Sequence, residues 1–384
     1  MNSAMKPRVA VVVLGDLARS PRMLNHARTL AGRGYPVSLI GYLERTLDVP
    51  AEIRVCPVKT FERISPGRAQ LIFLAGSALR MSWLFFQLMA RLLREKPRYI
   101  LVQNPPSFPT LTVTWLAALL LRGRLIIDWH NYGYSMLALR LGSAHALVKL
   151  AAWYEFRAGG MAHDHLCVSK AMQEDLEHRA GIKSRVLYDR PIAFAERIQL
   201  SGGPLIVACP SGWTADENMG LLFDALDSLP SGPVEMYLLG DGPLRESFQP
   251  RIDALRNCGW KIVTGYVSRE EYDAILRRAD LGLSMHHASS GLDLAMKVVD
   301  LYGARVPVCA WDYGGSLPEQ VIDGETGFLF RSAAELAAIL TRLLDDRRPL
   351  AAMRKRLEQE WRETWDQAWE HAAASLFAQD GERP

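Results

Sequence analysis

Cysteine is scarce and unpatterned: Cys56, Cys167, Cys209, Cys258 and Cys309 are odd in number, far apart and form no C-x-x-C pair. That excludes a disulfide framework and a cysteine-based zinc site, and it predicts a reducing cytoplasmic compartment. No D-x-D arrangement stands in a suitable loop, so no metal and no other cofactor is expected. No basic stripe is interleaved with aromatics, which excludes nucleic acid as the favoured partner. Residues 1–8 lack an apolar h-region, so no signal peptide is expected before the first strand. Long apolar runs are also rare. Leu71–Ala90 approaches a membrane span in length, but Arg80 near its middle would be expensive in lipid. Bracketed by Arg68, Arg91, Arg94 and Lys96, the run predicts an interfacial helix on an anionic membrane, with a buried crossover helix as the alternative.

What is present is a globular chain of 384 residues, nearly half apolar and too long for one comfortable core. Charge divides unevenly along it. Residues 1–190 hold 26 Lys and Arg against 13 Asp and Glu, a net +13, while the remainder holds 19 against 29, a net −10. The basic half should prefer anionic partners such as phospholipid headgroups or a lipid pyrophosphate.

Apolar runs alternate with helical stretches, twice. Val9–Leu14, Val37–Tyr42, Ile53–Val58, Tyr99–Gln103, Leu125–Trp129 and His165–Val168 suit strands of a first parallel sheet. Leu205–Cys209, Val234–Leu239, Lys261–Val263, Leu281–Met285 and Val306–Ala310 suit a second. Ser20-Pro21 reads as the N-cap and N1 of a helix. The fold class is α/β: two doubly wound, Rossmann-like domains at 1–190 and 204–349, joined by a linker at 191–203. A helix over 350–384 is expected to pack across both. It would align Trp361, Trp365 and Trp369 on one stripe.

The chemistry concentrates in Ser289-Ser-Gly-Leu-Asp-Leu-Ala-Met-Lys297-Val-Val-Asp300. The small residues Ser289, Ser290 and Gly291 form a loop whose amides could approach a diphosphate, ahead of a helix N-terminus, and Leu292 beside them is a further donor-binding candidate. Lys297 and Asp300, three apart on one helix face, could hold phosphate and ribose hydroxyls. An ordinary helix with a solvated Lys–Asp pair remains the alternative. In the first half, Gly15 and Asp16 end the first strand, where open α/β sheets bind ligands. Asp128 and His130 alternate on one strand face, and either Asp16 or His130 could serve as a general base. Arg19 and Arg22 flank the helix start as candidates for an acceptor pyrophosphate. Tyr266 follows Gly265 at the end of a second-domain strand, as a donor-binding candidate or as simple packing.

These stretches resemble the chitobiosyldiphosphodolichol beta-mannosyltransferase family, within the GT-B glycosyltransferases. The resemblance rests on Gly15-Asp-Leu-Ala-Arg19-Ser-Pro-Arg22-Met, Gln103-Asn-Pro-Pro-Ser-Phe-Pro, Ile127-Asp-Trp-His130-Asn-Tyr-Gly-Tyr134-Ser, Trp153-Tyr-Glu155, Ser211-Gly-Trp213-Thr, Gly242-Pro-Leu-Arg245-Glu and the Ser289–Asp300 stretch, in order along nearly the full length. It implies facing domains, GDP-mannose as donor, a lipid-pyrophosphate-linked GlcNAc acceptor at the cytoplasmic face of a membrane, and inversion. It also implies a donor-sugar hydrogen bond from His130 as an alternative to the base role. Two departures stand out. The sequence begins almost at its first strand, so the N-terminal anchor of eukaryotic members is not expected and a bacterial relative is. Leu292 replaces the first of two acidic residues spaced eight apart in retaining relatives, and the basic pair usual in Ser211–Asn218 is missing, which leaves Lys297 as the main diphosphate cation. Other nucleotide sugars or lipid acceptors, a nucleotide-sugar epimerase and a noncatalytic nucleotide-binding subunit are the alternative functions.

Overall fold

The computed structural model describes residues 6–59, 70–196, 203–229 and 234–378, with backbone alone for 70–78. The chain divides into two compact units. The first runs to Val168 and includes Met172–Leu187 and the segment from Trp369; the second comprises Ser169–Ala171 and Tyr188–Ala368.

In the first unit, parallel strands β1 (Val9–Asp16), β2 (Val37–Tyr42), β3 (Ile53–Pro57), β4 (Tyr99–Asn104), β5 (Arg124–Trp129), β6 (Asp164–Cys167) and β7 (Arg185–Val186) lie in the order β3-β2-β1-β4-β5-β6-β7. Helices α1 (Pro21–Gly32), α2 (Gln70–Glu95), α3 (Thr110–Leu121), α4 (Gly133–Leu141), α5 (Ala146–Gly159) and α6 (Lys170–Ala180) connect them. β1 is central and buried along Val9–Val13, which is why its sequence is a continuous apolar run rather than an alternating one. Pro21 takes the first position of α1 as the sequence predicts, but the Ser20 hydroxyl donates to the Asp16 carbonyl rather than capping the helix.

The second unit repeats the plan with β8 (Leu205–Pro210), β9 (Val234–Leu239), β10 (Lys261–Gly265), β11 (Leu281–Ser284), β12 (Val308–Trp311) and β13 (Gly327–Phe330), in the order β10-β9-β8-β11-β12-β13. Its helices are α7 (Met219–Asp227), α8 (Arg245–Asn257), α9 (Arg269–Arg278), α10 (Met296–Gly303), α11 (Ala333–Asp345) and α12 (Arg348–Glu360). In each sheet the strand order reverses beside the first strand, at β1/β4 and β8/β11. Ligands of such sheets collect at the carboxyl ends of those strands.

Three expectations need correction. Tyr188–Ala195, placed at the end of the first domain and in the linker, is packed in the second unit: Ala195 donates to the Gly303 carbonyl and Trp365 to that of Pro191. The C-terminal segment is not one helix either. α12 stops at Glu360, Trp361 leaves helical geometry, and α13 (Trp365–Ala372) starts afresh, followed by a 3-10 turn at Ala374–Phe377. The tryptophan stripe is broken with it. Trp361 stacks edge-on against Tyr302 in the second unit, whereas Trp369 lies against Phe377 in the first. The Leu71–Ala90 run falls partly outside the described side chains, and its remainder is mixed: Leu84, Leu88 and Met89 are buried, while Leu79, Trp83 and Phe86 are exposed. Among the described residues no helix is long and apolar enough to cross a membrane.

Gly159 ends α5 against the buried Trp129 ring, and a Cβ there would sit 2.6 Å from two ring carbons. Gly159→Ala should therefore lower stability by about 1–3 kcal/mol through overpacking. A urea midpoint equal to the native one would contradict this packing.

Candidate active site

The first unit gathers its polar groups around Asp128, which is fully buried at the carboxyl end of β5. Arg22 of α1 grips both carboxylate oxygens, Nε to Oδ2 at 2.8 Å and Nη2 to Oδ1 at 2.9 Å, and its Nη1 donates to the Leu187 carbonyl. One turn later on the same helix, His26 Nε2 lies 3.1 Å from Oδ2. The Trp369 indole N–H donates to His26 Nδ1 at 2.9 Å. An indole can only donate, so Nδ1 is unprotonated and the proton of His26 sits on Nε2, toward Asp128. Burial would push the Asp128 carboxyl up. The Arg22 guanidinium, His130 and the two imidazole hydrogen bonds outweigh it and hold the group well below the usual carboxylate range. Burial pushes the fully enclosed His26 down, which keeps it neutral.

His130 is the partly exposed member of this cluster. Its Nε2 lies 2.8 Å from Asp128 Oδ2, and its backbone N–H donates to the Asn104 carbonyl at the end of β4. A carboxylate accepting from Nε2–H leaves Nδ1 as the ring nitrogen able to take a proton, and it stabilises the imidazolium that results. Arg22, expected as an acceptor-pyrophosphate cation, is instead 3% exposed and committed to Asp128. Arg19 remains exposed, 3.9 Å from Asp16. Asp16 caps the 3-10 turn at Leu17–Arg19 by accepting from the Ala18 amide, and its Oδ2 is buried with no hydrogen-bond partner. At Gly15 a Cβ would meet only Val13 at an ordinary 3.6 Å.

In the second unit, the loop after β8 curls around Glu217. This carboxylate, almost completely buried, accepts from Ser211 Oγ at 2.6 Å and from the Gly212 and Trp213 amides at 3.1 and 2.9 Å, and it pairs with Lys297 Nζ. Lys297 is thus already matched to an internal anion. Its ammonium is pushed down by burial, with Cys209 and Asp216 opposing. Glycine is required at Gly240 and Gly242, because a Cβ at either would overlap the Ser211 or Gly212 carbonyl.

Asp300 lies in a separate cavity of about 240 Å³ with Gly240, Tyr266, Arg269 and Tyr272. The Tyr272 hydroxyl donates to Asp300 at 3.1 Å, and burial pushes the carboxyl up, against the nearby Arg269. Tyr266 is 75% exposed at the rim. Tyr266 and Asp300 therefore share a cavity that Lys297 does not line. Ser290, Gly291 and Leu292 do not lead directly into a helix: α10 begins only at Met296. The Gly291 carbonyl accepts from Ser316 and the Leu292 amide donates to Ser290 Oγ, so part of the loop is satisfied internally. Sequence reasoning passed over Arg269, Tyr272, Glu217 and His286. His286 follows β11 at the reversal point and bonds Asp293 at 3.0 Å, and the adjacent histidines at that strand end were a readable signal. Among the described residues no group of three or more His, Cys, Asp or Glu is arranged to hold a metal.

A buried Asp128 bonded to His130 at the end of β5 in one Rossmann-like unit, and in the other a loop that meets Lys297 and a separate cavity, are the sites of a GT-B glycosyltransferase. The family model for Glycosyltransferase Family 4 matches residues 22–188, and that for Glycosyl transferases group 1 matches 204–346. The fold is shared with WaaG, a glycosyltransferase involved in lipopolysaccharide biosynthesis (TM-score 0.70, 14% identity, 97% of this chain and 100% of that one). It is shared too with Anabaena HepE in complex with UDP (TM-score 0.68, 17% identity, 97% and 99%). Chitobiosyldiphosphodolichol beta-mannosyltransferase of Mus musculus is 34% identical over 96% of this chain and 89% of its own length, and that of Yarrowia lipolytica 34% over 97% and 86%. The chain belongs to the chitobiosyldiphosphodolichol beta-mannosyltransferase family. A plant relative, UDP-glycosyltransferase TURAN of Arabidopsis thaliana, is 33% identical over 86% of this chain and 87% of its own length.

Two outcomes test these clusters. Arg22→Leu strands a buried carboxylate and should cost about 3–5 kcal/mol in urea denaturation. The native unit should also be acid-sensitive. His26 is depressed from 6.5, so stability should fall as pH drops below that value and the unfolded chain takes up a proton; Asp128, depressed from 3.8, should add its loss below that. A flat stability profile from pH 7 to 4 would contradict the His26 assignment, and one that stays flat from pH 4 to 2 would contradict that of Asp128. In the second unit, Lys297→Ala and Asp300→Ala test the expected donor site: each should weaken nucleoside-diphosphate binding by about 1.5–3 kcal/mol. Calorimetric titration reads this directly, and unchanged affinity in both folded variants would remove the donor site.

Proposed function

We propose that this glycosyltransferase moves mannose from GDP-mannose to a lipid-pyrophosphate-linked GlcNAc-type acceptor at the cytoplasmic face of a membrane, with inversion to a beta linkage. The observation that carries this reading is the Asp128–His130 pair at the β5 end, in a chain whose relatives bear the beta-mannosyltransferase name over almost their whole length.

In this mechanism the acceptor hydroxyl oxygen forms a bond to the anomeric carbon as the bond from that carbon to the diphosphate oxygen breaks. The hydroxyl proton passes to His130 Nδ1, and GDP leaves with the bonding electrons. Asp128 keeps the imidazole oriented and compensates its positive charge. Asp16, with its unpartnered buried oxygen, is the alternative base. Lys297 supplies the positive charge for the departing diphosphate, and no metal is needed for that role. Asp300 and Tyr266 hold the nucleoside, and Arg19 approaches the acceptor pyrophosphate.

A transfer assay crossing GDP-mannose and UDP-sugars with synthetic lipid-pyrophosphate GlcNAc acceptors tests the reading. Mannose should transfer from GDP-mannose, and NMR of the product should give a beta linkage. His130→Ala should lower the rate by about 10²–10⁴-fold while GDP affinity is retained. An alpha-linked product would exclude single displacement, and transfer from a UDP-sugar in place of GDP-mannose would overturn the donor assignment.

A further inference from the structure

α4 and α5 are joined by four residues, 142–145, and pack on each other as a hairpin in the first unit. The inner side is ordinary core: Ser135, Val148, Glu155 and Ala158 are buried. The outer side is not an ordinary surface. Leu147, Leu150 and Trp153, spaced three apart along α5, are exposed, and so are Met136, Leu139 and Leu141 of α4. Single exposed leucines are unremarkable, but a contiguous set at this density marks an interaction surface. Trp153 and Leu139, at 62% and 63% exposure, leave most of their apolar area in water.

Charge says what covers this face. Between Gly133 and Gly159 the exposed ionic side chains are Arg140, Lys149 and Arg157, all cationic and interleaved with the apolar positions. The one carboxylate in that span, Glu155, is buried and spent on Asn104 and on the Gly133 and Tyr134 amides at the start of α4. Apolar side chains flanked by long cations without exposed acids suit the boundary of an anionic bilayer: leucine and tryptophan enter the acyl region while Arg and Lys snorkel to the headgroups. Met136, Leu147, Leu150 and Trp153 of this face themselves line a groove of about 880 Å³, shared with the Pro105–Phe108 segment and with Leu14 near the end of β1.

We propose that the α4–α5 hairpin, rather than α2, is the element that inserts into the anionic bilayer, so that the groove opens toward the hydrocarbon from which a lipid-borne acceptor reaches the ends of β1 and β4. The proposal rests on the lipid-acceptor reading above, but its test uses neither donor nor acceptor.

Leu139→Glu/Leu147→Glu/Leu150→Glu changes exposed positions only and should fold, as circular dichroism and GDP titration would verify. Flotation with phosphatidylglycerol–phosphatidylcholine vesicles should recover the native chain, less so at high salt, and recover the triple variant about tenfold less or worse. Trp83→Glu/Phe86→Glu on α2 should float like the native chain. Retained binding by the hairpin variant, loss in the α2 variant alone, or no vesicle binding by the native chain would each overturn the proposal, the last pointing to a protein partner. As a second readout, a polarity-sensitive fluorophore at Ser143→Cys in a Cys258→Ser background should shift to the blue on vesicles and be quenched by lipids brominated along the acyl chain. An unquenched, unshifted label would likewise overturn insertion. If the hairpin results hold and mannose transfer fails, the membrane surface stands and the reaction assignment falls.

Discussion

One buried negative charge organises the first unit. Asp128 receives a guanidinium and two imidazoles on a carboxylate fully removed from water. A lone carboxylate there would protonate or unfold the protein, so the surrounding donors are obligatory. They come from two distant stretches of chain: Arg22 and His26 from α1, His130 from the loop after β5. Through Arg22 the charge also fixes the Leu187 carbonyl, where the chain passes into the second unit. The geometry that positions the proposed base is therefore the same geometry that holds the helix, the central sheet and the chain crossover together, and stability and chemistry draw on one set of bonds.

The second unit solves the opposite problem, a cation in a confined loop. Lys297 is pushed down by burial, and Glu217 answers it inside the turn that ends β8. The Ser211 hydroxyl and the Gly212 and Trp213 amides converge on that same carboxylate, so an anion already occupies the centre of the turn. Backbone-to-backbone contact at Gly240 and Gly242 keeps the turn from widening.

The sequence was most legible where burial acts on both faces of a strand. β1, β2, β4, β5 and β8 are continuous apolar runs, and they fall where the pattern puts them. β7, two residues long, is too short to carry a pattern, and β13, four residues long, follows directly on the turn at Asp323-Gly324. The tryptophan spacing kept helical periodicity across a point where the backbone abandons the helix, and no glycine or proline marks Trp361–Thr364 as a break. The Asp128–His130 relation was readable because the two are local. That Arg22 faces Asp128 rather than solvent was not, since the pairing spans 106 positions and leaves no local trace. Glu217 escaped for the same reason, its Lys297 partner lying on a distant helix.

The Trp369–His26 bond also has a meaning for synthesis of the chain. Trp369 and the turn through Phe377 belong to the first unit although they are translated after the second. On the ribosome, the second unit has all of Tyr188–Ala368 available before the first unit receives its final side chains. The first unit therefore begins to emerge before the second and is completed after it: His26 waits, its Nδ1 without the indole, until Trp369 clears the exit tunnel. Nascent chains should depend on chaperones through this first half, and that dependence should end only once Trp369 and Phe377 have emerged.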